Sequence, residues 1–205
     1  MRVAVFAKAP VAGFVKTRLA PLLGDEGAAR LHAQLVDRAL STALLSAAGD
    51  VELWCAPDET HPFFEGCAAR YGVRLRGQSG ADLGARMHHA FATSHSEGQS
   101  LVLIGCDCPA LEPATLRAAS DALAANDAVF VPAEDGGYVL VGLAKPMPGI
   151  FKDIGWGSSA VMMQTRARLA VSGLKWEELA THWDVDRPED YARAQRQGLV
   201  AEVTA

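Results

Sequence analysis

Nothing in this 205-residue sequence is long and apolar enough to cross a bilayer, since no stretch approaches the roughly 20 apolar residues a spanning helix needs. The opening run MRVAVFAKAP holds four or five apolar residues before Lys8. That is too few for the core of a signal peptide, and the run reads as a buried strand. An excess of positive charge is missing too. A net charge of −5 and a pI near 5.7 argue against a general binder of nucleic acid or anionic membrane, which needs a basic surface. Cysteine is scarce: the four residues at 55, 67, 106 and 108 show no zinc-finger spacing and do not make a disulfide scaffold. The expected setting is the cytoplasm, with reduced thiols. Also lacking are a P-loop, a G-x-G-x-x-G turn, any internal repeat, and a Ser-His-Asp or Cys-His set.

What is present is ordinary globular material, half hydrophobic and 21% charged. A chain of this length buries a real core without staples. One domain is expected over 1–199, followed by a short, loose tail at 200–205. Strand-like and helix-like segments alternate throughout. Strands are expected at Arg2–Ala7, Val51–Cys55, Val73–Leu75, Ser100–Gly105, Ala128–Val131 and Tyr138–Leu143. Helices are expected at Asp25–Ala48, Pro62–Tyr71, Ala81–Ser94, Pro113–Ala125, Ser158–Val171 and Pro188–Gln197. This rhythm implies an α/β fold, a mostly parallel mixed sheet covered by helices on both faces. Such sheets bind ligands outside the carboxyl ends of their strands, so chemistry should gather just after them.

It does. The loop after the first strand, Ala7 to Leu19, carries Lys8, Lys16 and Arg18 beside Gly13. Cations with small residues that admit close backbone approach suit a polyphosphate, and solvated lysines are the plain alternative. At 78–87, Gln78 is suited to a base or ribose, Gly80 to close approach, and Arg86 to a phosphate or to Asp82, which also reads as a helix N-cap. Asp107 ends the most hydrophobic strand, where a carboxylate is costly unless paired or bound to metal. Strand alternation turns Cys106 and Cys108 away from it, as packed thiols. Asp135-Gly136-Gly137-Tyr138 reads either as a hairpin turn or as a glycine platform for an acceptor, with Glu134 or Asp135 as hydrogen-bond acceptor or base. Asp186 fits a capping box with Glu189 and equally a second metal carboxylate beside Asp107, sharing a face with Asp184. The six histidines are scattered and read as structural or surface residues.

As a set, these segments resemble the bacterial DUF2064 type of glycosyltransferase-like proteins, also called selenodomain-associated transferase 1. The resemblance rests on Ala-Lys-x-Pro-x-x-Gly-x-x-Lys-Thr-Arg-Leu at 7–19, Gln-x-Gly-x-Asp-Leu-Gly-x-Arg-Met at 78–87 and Gly-x-Asp-Cys-Pro at 105–109. Asp-Gly-Gly-Tyr at 135–138, Trp156-Gly157-Ser158 and Asp-x-Asp-x-Pro-Glu-Asp at 184–190 complete it. That family is similar to molybdenum-cofactor and phospholactate guanylyltransferases. The resemblance implies a GT-A-like nucleotide-diphospho-sugar transferase fold, with Mg²⁺ or Mn²⁺ held by Asp107 and Asp186, and Lys16 and Arg18 on phosphates. The donor would be a nucleotide-sugar or an NTP and the acceptor a small molecule. Glycosyl transfer stands first, nucleotidyl transfer second, and a non-catalytic nucleotide-binding module is the reading of another class. The apolar residues Trp176, Trp183, Met162 and Met163 suit either the core or a homo-oligomer interface.

Overall fold

Strand β1 (Arg2–Lys8) sends Val3, Val5 and Ala7 into one apolar layer and Ala4 and Phe6 into another. Successive side chains of an extended chain face opposite ways, so a strand that is apolar on both faces belongs in the middle of a covered sheet. The computed structural model, which describes residues 1–203, places it there. After β1 come α1 (Ala20–Ser46), β2 (Asp50–Ala56), α2 (Pro62–Tyr71), β3 (Arg74–Gly77), α3 (Leu83–Ser96) and β4 (Leu101–Gly105). Then follow α4 (Pro113–Leu123), β5 (Ala128–Pro132), β6 (Tyr138–Leu143), α5 (Val161–Val171), β7 (Trp176–Glu178) and α6 (Pro188–Arg196).

The seven strands form one sheet in the order β3-β2-β1-β4-β6-β5-β7. β1, β2, β3 and β4 run parallel, β6 is antiparallel to both β4 and β5, and β7 lies parallel to β5. The expected mixed, mostly parallel sheet is therefore present. One layer joins Val36 and Leu40 of α1, Phe64 of α2 and Leu116 of α4 to the strands, and the other joins Met87 and Phe91 of α3 with Met162 and Leu169 of α5. A third cluster packs Leu31 and Leu35 against Trp183, Val185 and Tyr191, fastening the C-terminal segment over α1. Trp183 and Met162 thus belong to the core; Met163 is exposed. No helix among the described residues is long and apolar enough to cross a membrane.

Three local differences from the sequence reading have simple causes. The edge strand β7 was not expected, because Trp-Glu-Glu is short and charged and bonds to β5 alone. α1 starts formally at Ala20, but Gly24 breaks it (φ 69°, ψ 166°), so its regular turns begin at Asp25. The end of the chain packs back: Val203 is buried, its N–H donates to Tyr191 Oη at 3.0 Å, and Ala201 N donates to Gln34 Oε1 at 3.0 Å. Residues 204 and 205 of the expected tail lie outside the described residues.

The sheet order sets the site. From β1 the chain builds outward to β2 and β3 on one side, then returns to β4 on the other. β1 and β4 are parallel neighbours, so the loops leaving them emerge side by side at the carboxyl end of the sheet, where α/β sheets accept ligands.

Candidate active site

The loop leaving β1 returns toward the sheet at Lys16, whose backbone is left-handed (φ 48°, ψ 37°), a conformation uncommon outside glycine. Its side chain is 5% exposed, with Nζ 2.8 Å from Asp107 Oδ1. The same ammonium donates to the Val185 carbonyl at 2.6 Å, while Val185 N donates to the Asp107 carbonyl at 2.8 Å. Loop β1–α1, the turn after β4 and the segment before α6 are thus tied at one point. Burial would lower the Lys16 pKa, but the Asp107 carboxylate beside it leaves the ammonium above its ordinary value. Burial would likewise raise Asp107, and Lys16, then His32, hold that carboxyl below the usual range. Both are ionised at neutral pH. The Asp107 side chain keeps 46% of its surface accessible.

His32, on α1, completes the inner wall. Its ring is buried, with Nε2 2.9 Å from the Lys8 carbonyl. A carbonyl only accepts, so Nε2 carries the proton and Nδ1 presents a lone pair. That Nδ1 lies 3.9 Å from Asp107 Oδ1 and has no hydrogen-bond partner among the described residues. Burial first lowers the His32 pKa, keeping the ring neutral. Cys106 Sγ donates to Asp107 Oδ1 at 3.4 Å, and burial, followed by the Asp107 charge, pushes its thiol well up. The ligand atoms of His32, Cys106 and Asp107 all lie within 4.8 Å of one another.

The sequence reading needs correcting here twice. Cys106 does not face away from Asp107, because β4 ends at Gly105 and strand alternation no longer applies beyond it. His32 is not a bystander. It escaped notice because it lies mid-helix among apolar residues, although a histidine on a buried stripe has to find partners.

Asp107, Lys16, Lys8, Arg18 and Asp186 all line a single cleft of about 690 Å³, together with Gln78 and Arg86. Arg18 is ion-paired with Asp186. Lys8 and Arg86 have no carboxylate partner among the described residues, and Arg86 Nε donates to the Gly80 carbonyl at 3.3 Å. Gln78 spends its amide nitrogen on the Ala7 and Trp54 carbonyls (3.2 and 2.8 Å), which leaves its carbonyl oxygen as an acceptor. Asp184 also lines the cleft, and burial, then Asp135 and Asp107, push its pKa to about 6.

Gly13, Gly80, Gly136 and Gly137 do not line this cleft, and their backbones serve nearby turns instead. Gly13 turns the loop in a left-handed conformation near Asp25. A Cβ on Gly80 would meet Arg86 N at 2.6 Å, so glycine is needed there to let α3 start. At Gly136 a Cβ would fall 2.1 Å from the Ser159 carbonyl, and Asp135 Oδ1 accepts from Gly137 N at 2.9 Å, closing the β5–β6 hairpin. Asp82 caps α3 as expected, accepting from Ala85 N at 2.7 Å. The box expected from Asp186 and Glu189 is instead made by Asp190, which accepts from Asp186 N and Arg187 N at 3.2 and 2.8 Å. The chain stays extended one residue further than the motif suggested.

A family model described as an uncharacterized protein conserved in bacteria (DUF2064) matches residues 39–158. No curated protein matches the chain. Among solved structures, a candidate nucleotide-diphospho-sugar transferase of Desulfovibrio desulfuricans is 31% identical with a TM-score of 0.83, over 91% of this chain and 82% of that one. A nucleotidyl transferase of Methanothermobacter is 15% identical with a TM-score of 0.65, over 97% and 98%. A Mycobacterium tuberculosis protein solved in complex with manganese is 22% identical with a TM-score of 0.51, over 94% and 96%. The fold is that of the nucleotide-diphospho-sugar transferases.

Proposed function

The chain belongs to the DUF2064 family, and from that premise we propose that it is a divalent-metal-dependent transferase drawing on a nucleotide-activated donor, in first place a nucleotide-diphospho-sugar. One observation carries the reading: carboxylates and cations line a single cleft, and several of them lack an opposite partner. Asp107, Asp184 and Asp186 line it, with Asp135 close enough to raise the Asp184 pKa, while Lys16 is the buried cation beside Asp107. Lys8 and Arg86 line it too, without carboxylate partners among the described residues. The carboxylates fit a divalent cation, and the unpaired cations fit phosphate oxygens. The 31%-identical neighbour described as a candidate nucleotide-diphospho-sugar transferase supports the donor, and the neighbour solved with manganese supports the ion.

Mg²⁺ or Mn²⁺, held by Asp107 with Asp186 as second carboxylate, would supply Lewis-acid neutralisation of the departing phosphate. The chain's own residues do the rest. Lys16 fixes the Asp107 carboxylate, Arg18 and Arg86 grip phosphate oxygens, and Lys8 shields the remaining charge. Gln78, reduced to an acceptor, selects a donor group on the base or ribose. Gly13 and Gly80 shape the two loops, while Gly136, Gly137 and Asp135 set the hairpin against which the small-molecule acceptor lies. A second reading is nucleotidyl transfer to a phosphorylated small molecule. The number of cations around the cleft favours it, since a triphosphate needs more neutralisation than a diphosphate.

The test is a thermal-shift screen of UDP-, GDP-, CDP- and ADP-sugars and the four NTPs, each with and without Mg²⁺ or Mn²⁺. Ligand at about 100 times its dissociation constant should add roughly 2.7 kcal/mol. Metal-dependent stabilisation by one nucleotide-sugar, lost in Asp107→Ala, is the expected outcome. A preference for a bare NTP selects the second reading, and nucleotide binding indifferent to metal and to Asp107→Ala overturns both.

A further inference from the structure

Asp107 has two sides, and the inner one is not a hard-metal environment. Its Oδ1 faces His32 Nδ1 at 3.9 Å and Cys106 Sγ at 3.4 Å. The imidazole nitrogen is a buried lone pair without a partner among the described residues, the other ring nitrogen being committed to the Lys8 carbonyl. A histidine present only for packing would have no reason to aim a lone pair at a carboxylate, because two acceptors facing each other without a proton or cation between them repel. The three ligand atoms are also near the right spacing. Tetrahedral zinc with bonds of about 2.1 Å to nitrogen or oxygen and about 2.3 Å to sulfur sets ligand atoms about 3.3–3.6 Å apart.

We propose that His32 Nδ1, Cys106 Sγ and Asp107 Oδ1 form a site for a borderline divalent ion of the zinc class, on the inner wall of the cleft. The proposal rests on reading Asp107 as a metal ligand and does not depend on the nucleotide. Nitrogen and sulfur donors select zinc, cobalt or iron(II) over magnesium, which prefers oxygen and retains water. All three line the cleft, and access is easiest past Asp107, the most exposed of them. The Lys16 ammonium shares Oδ1 and is the competitor to be displaced; its bond to the Val185 carbonyl gives it a place to stay. Binding exchanges one proton for the ion. The Sγ–H bond breaks, the sulfur–metal bond forms from the thiolate pair, and the proton leaves to solvent.

Cobalt(II) reports such a site directly. Titrated into the reduced, full-length protein without nucleotide, it should give the near-ultraviolet thiolate-to-cobalt charge-transfer band and release one proton per ion. Cys106→Ser should abolish the band and His32→Gln should weaken binding at least tenfold, whereas Cys108→Ser should leave both intact. X-ray absorption at the zinc edge of the wild-type protein needs no variant, and should show one sulfur near 2.3 Å. No band, a band that survives Cys106→Ser, or a zinc shell of nitrogen and oxygen alone would overturn the proposal. Failure of the nucleotide screen with the cobalt band intact would overturn the transferase reading alone, and the reverse would overturn this site alone.

Discussion

The two ends of the sheet bury charge in opposite ways. At the amino end, Glu52 of β2 is 3% exposed and lies 3.6, 3.2 and 3.8 Å from Arg2, Arg76 and Arg74. Arg2 and Arg76 also hold Glu97, so three arginines answer two acids. At the carboxyl end, Asp107, Asp184 and Asp186 line the cleft with Lys8, Lys16, Arg18 and Arg86, and of these Lys16 pairs with Asp107 and Arg18 with Asp186. The first arrangement pairs every member. The second leaves Lys8 and Arg86 without a carboxylate among the described residues, and burial, then Asp135 and Asp107, push Asp184 to a pKa of about 6. Unpaired charge in a cleft is what a site retains for a ligand, whereas a paired cluster serves the fold.

The largest effect should come from breaking the closed end. Glu52→Ala leaves Arg2 and Arg76 facing a buried gap, and removing one member of a buried cluster costs about 3–5 kcal/mol. The midpoint of urea unfolding should fall accordingly, with nucleotide affinity of the folded protein unchanged. A loss of affinity would dissolve the distinction between the two ends.

Lys16→Met attacks the open end. It unpairs Asp107 and the Val185 carbonyl, so turnover with the donor found by the screen should drop by about 10²–10³. The defect should appear in kcat. A change confined to KM would make Lys16 a binding contact and not part of the charge arrangement that the reaction needs.

How far this contrast was legible in the sequence depends on distance along the chain. Lys16, Arg18, Gln78, Arg86 and Asp107 could be found because each follows a recognisable strand, and the sheet gathers strand ends. His32 could not, since it reaches Asp107 from a helix 75 residues earlier by packing behind a loop, and no local pattern encodes that approach. The amino-end cluster was invisible for a similar reason. Arg2, Glu52, Arg74 and Arg76 meet because β1, β2 and β3 are neighbours in register, Arg2 opposite Asp50 and Glu52 opposite Arg74. The fold itself was easier, because alternating apolar segments report burial directly, and β7, too short and charged to do so, is the element that escaped.

Asp184→Asn sharpens the contrast with the opposite sign. The folded carboxyl holds its proton up to about pH 6, above the ordinary 3.8. Its penalty is therefore absent at pH 3, develops as pH rises through 4 to 6, and is complete above that range. Without added metal, the amide variant should be more stable than wild type at pH 7 by about 1–2 kcal/mol, allowing for screening by water in the cleft. Thermal melts at pH 3.5 and 7 should show the gain only at the higher value. Equal melting temperatures at pH 7 would mean that ionised Asp184 carries no penalty in the cleft.

The smallest effect tests redundancy. Arg74 is 63% exposed and stands 3.8 Å from Glu52, which keeps Arg2 and Arg76 when Arg74 is removed. Arg74→Ala should cost about 0.5 kcal/mol, within the range of exposed pairs, and less still in 1 M salt. Because cations outnumber acids at this end, the loss of one leaves no carboxylate bare. Lys16 has no such substitute, and its truncation cannot be absorbed in the same way. A cost above about 2 kcal/mol for Arg74→Ala, insensitive to salt, would mean that the amino end is as finely balanced as the cleft.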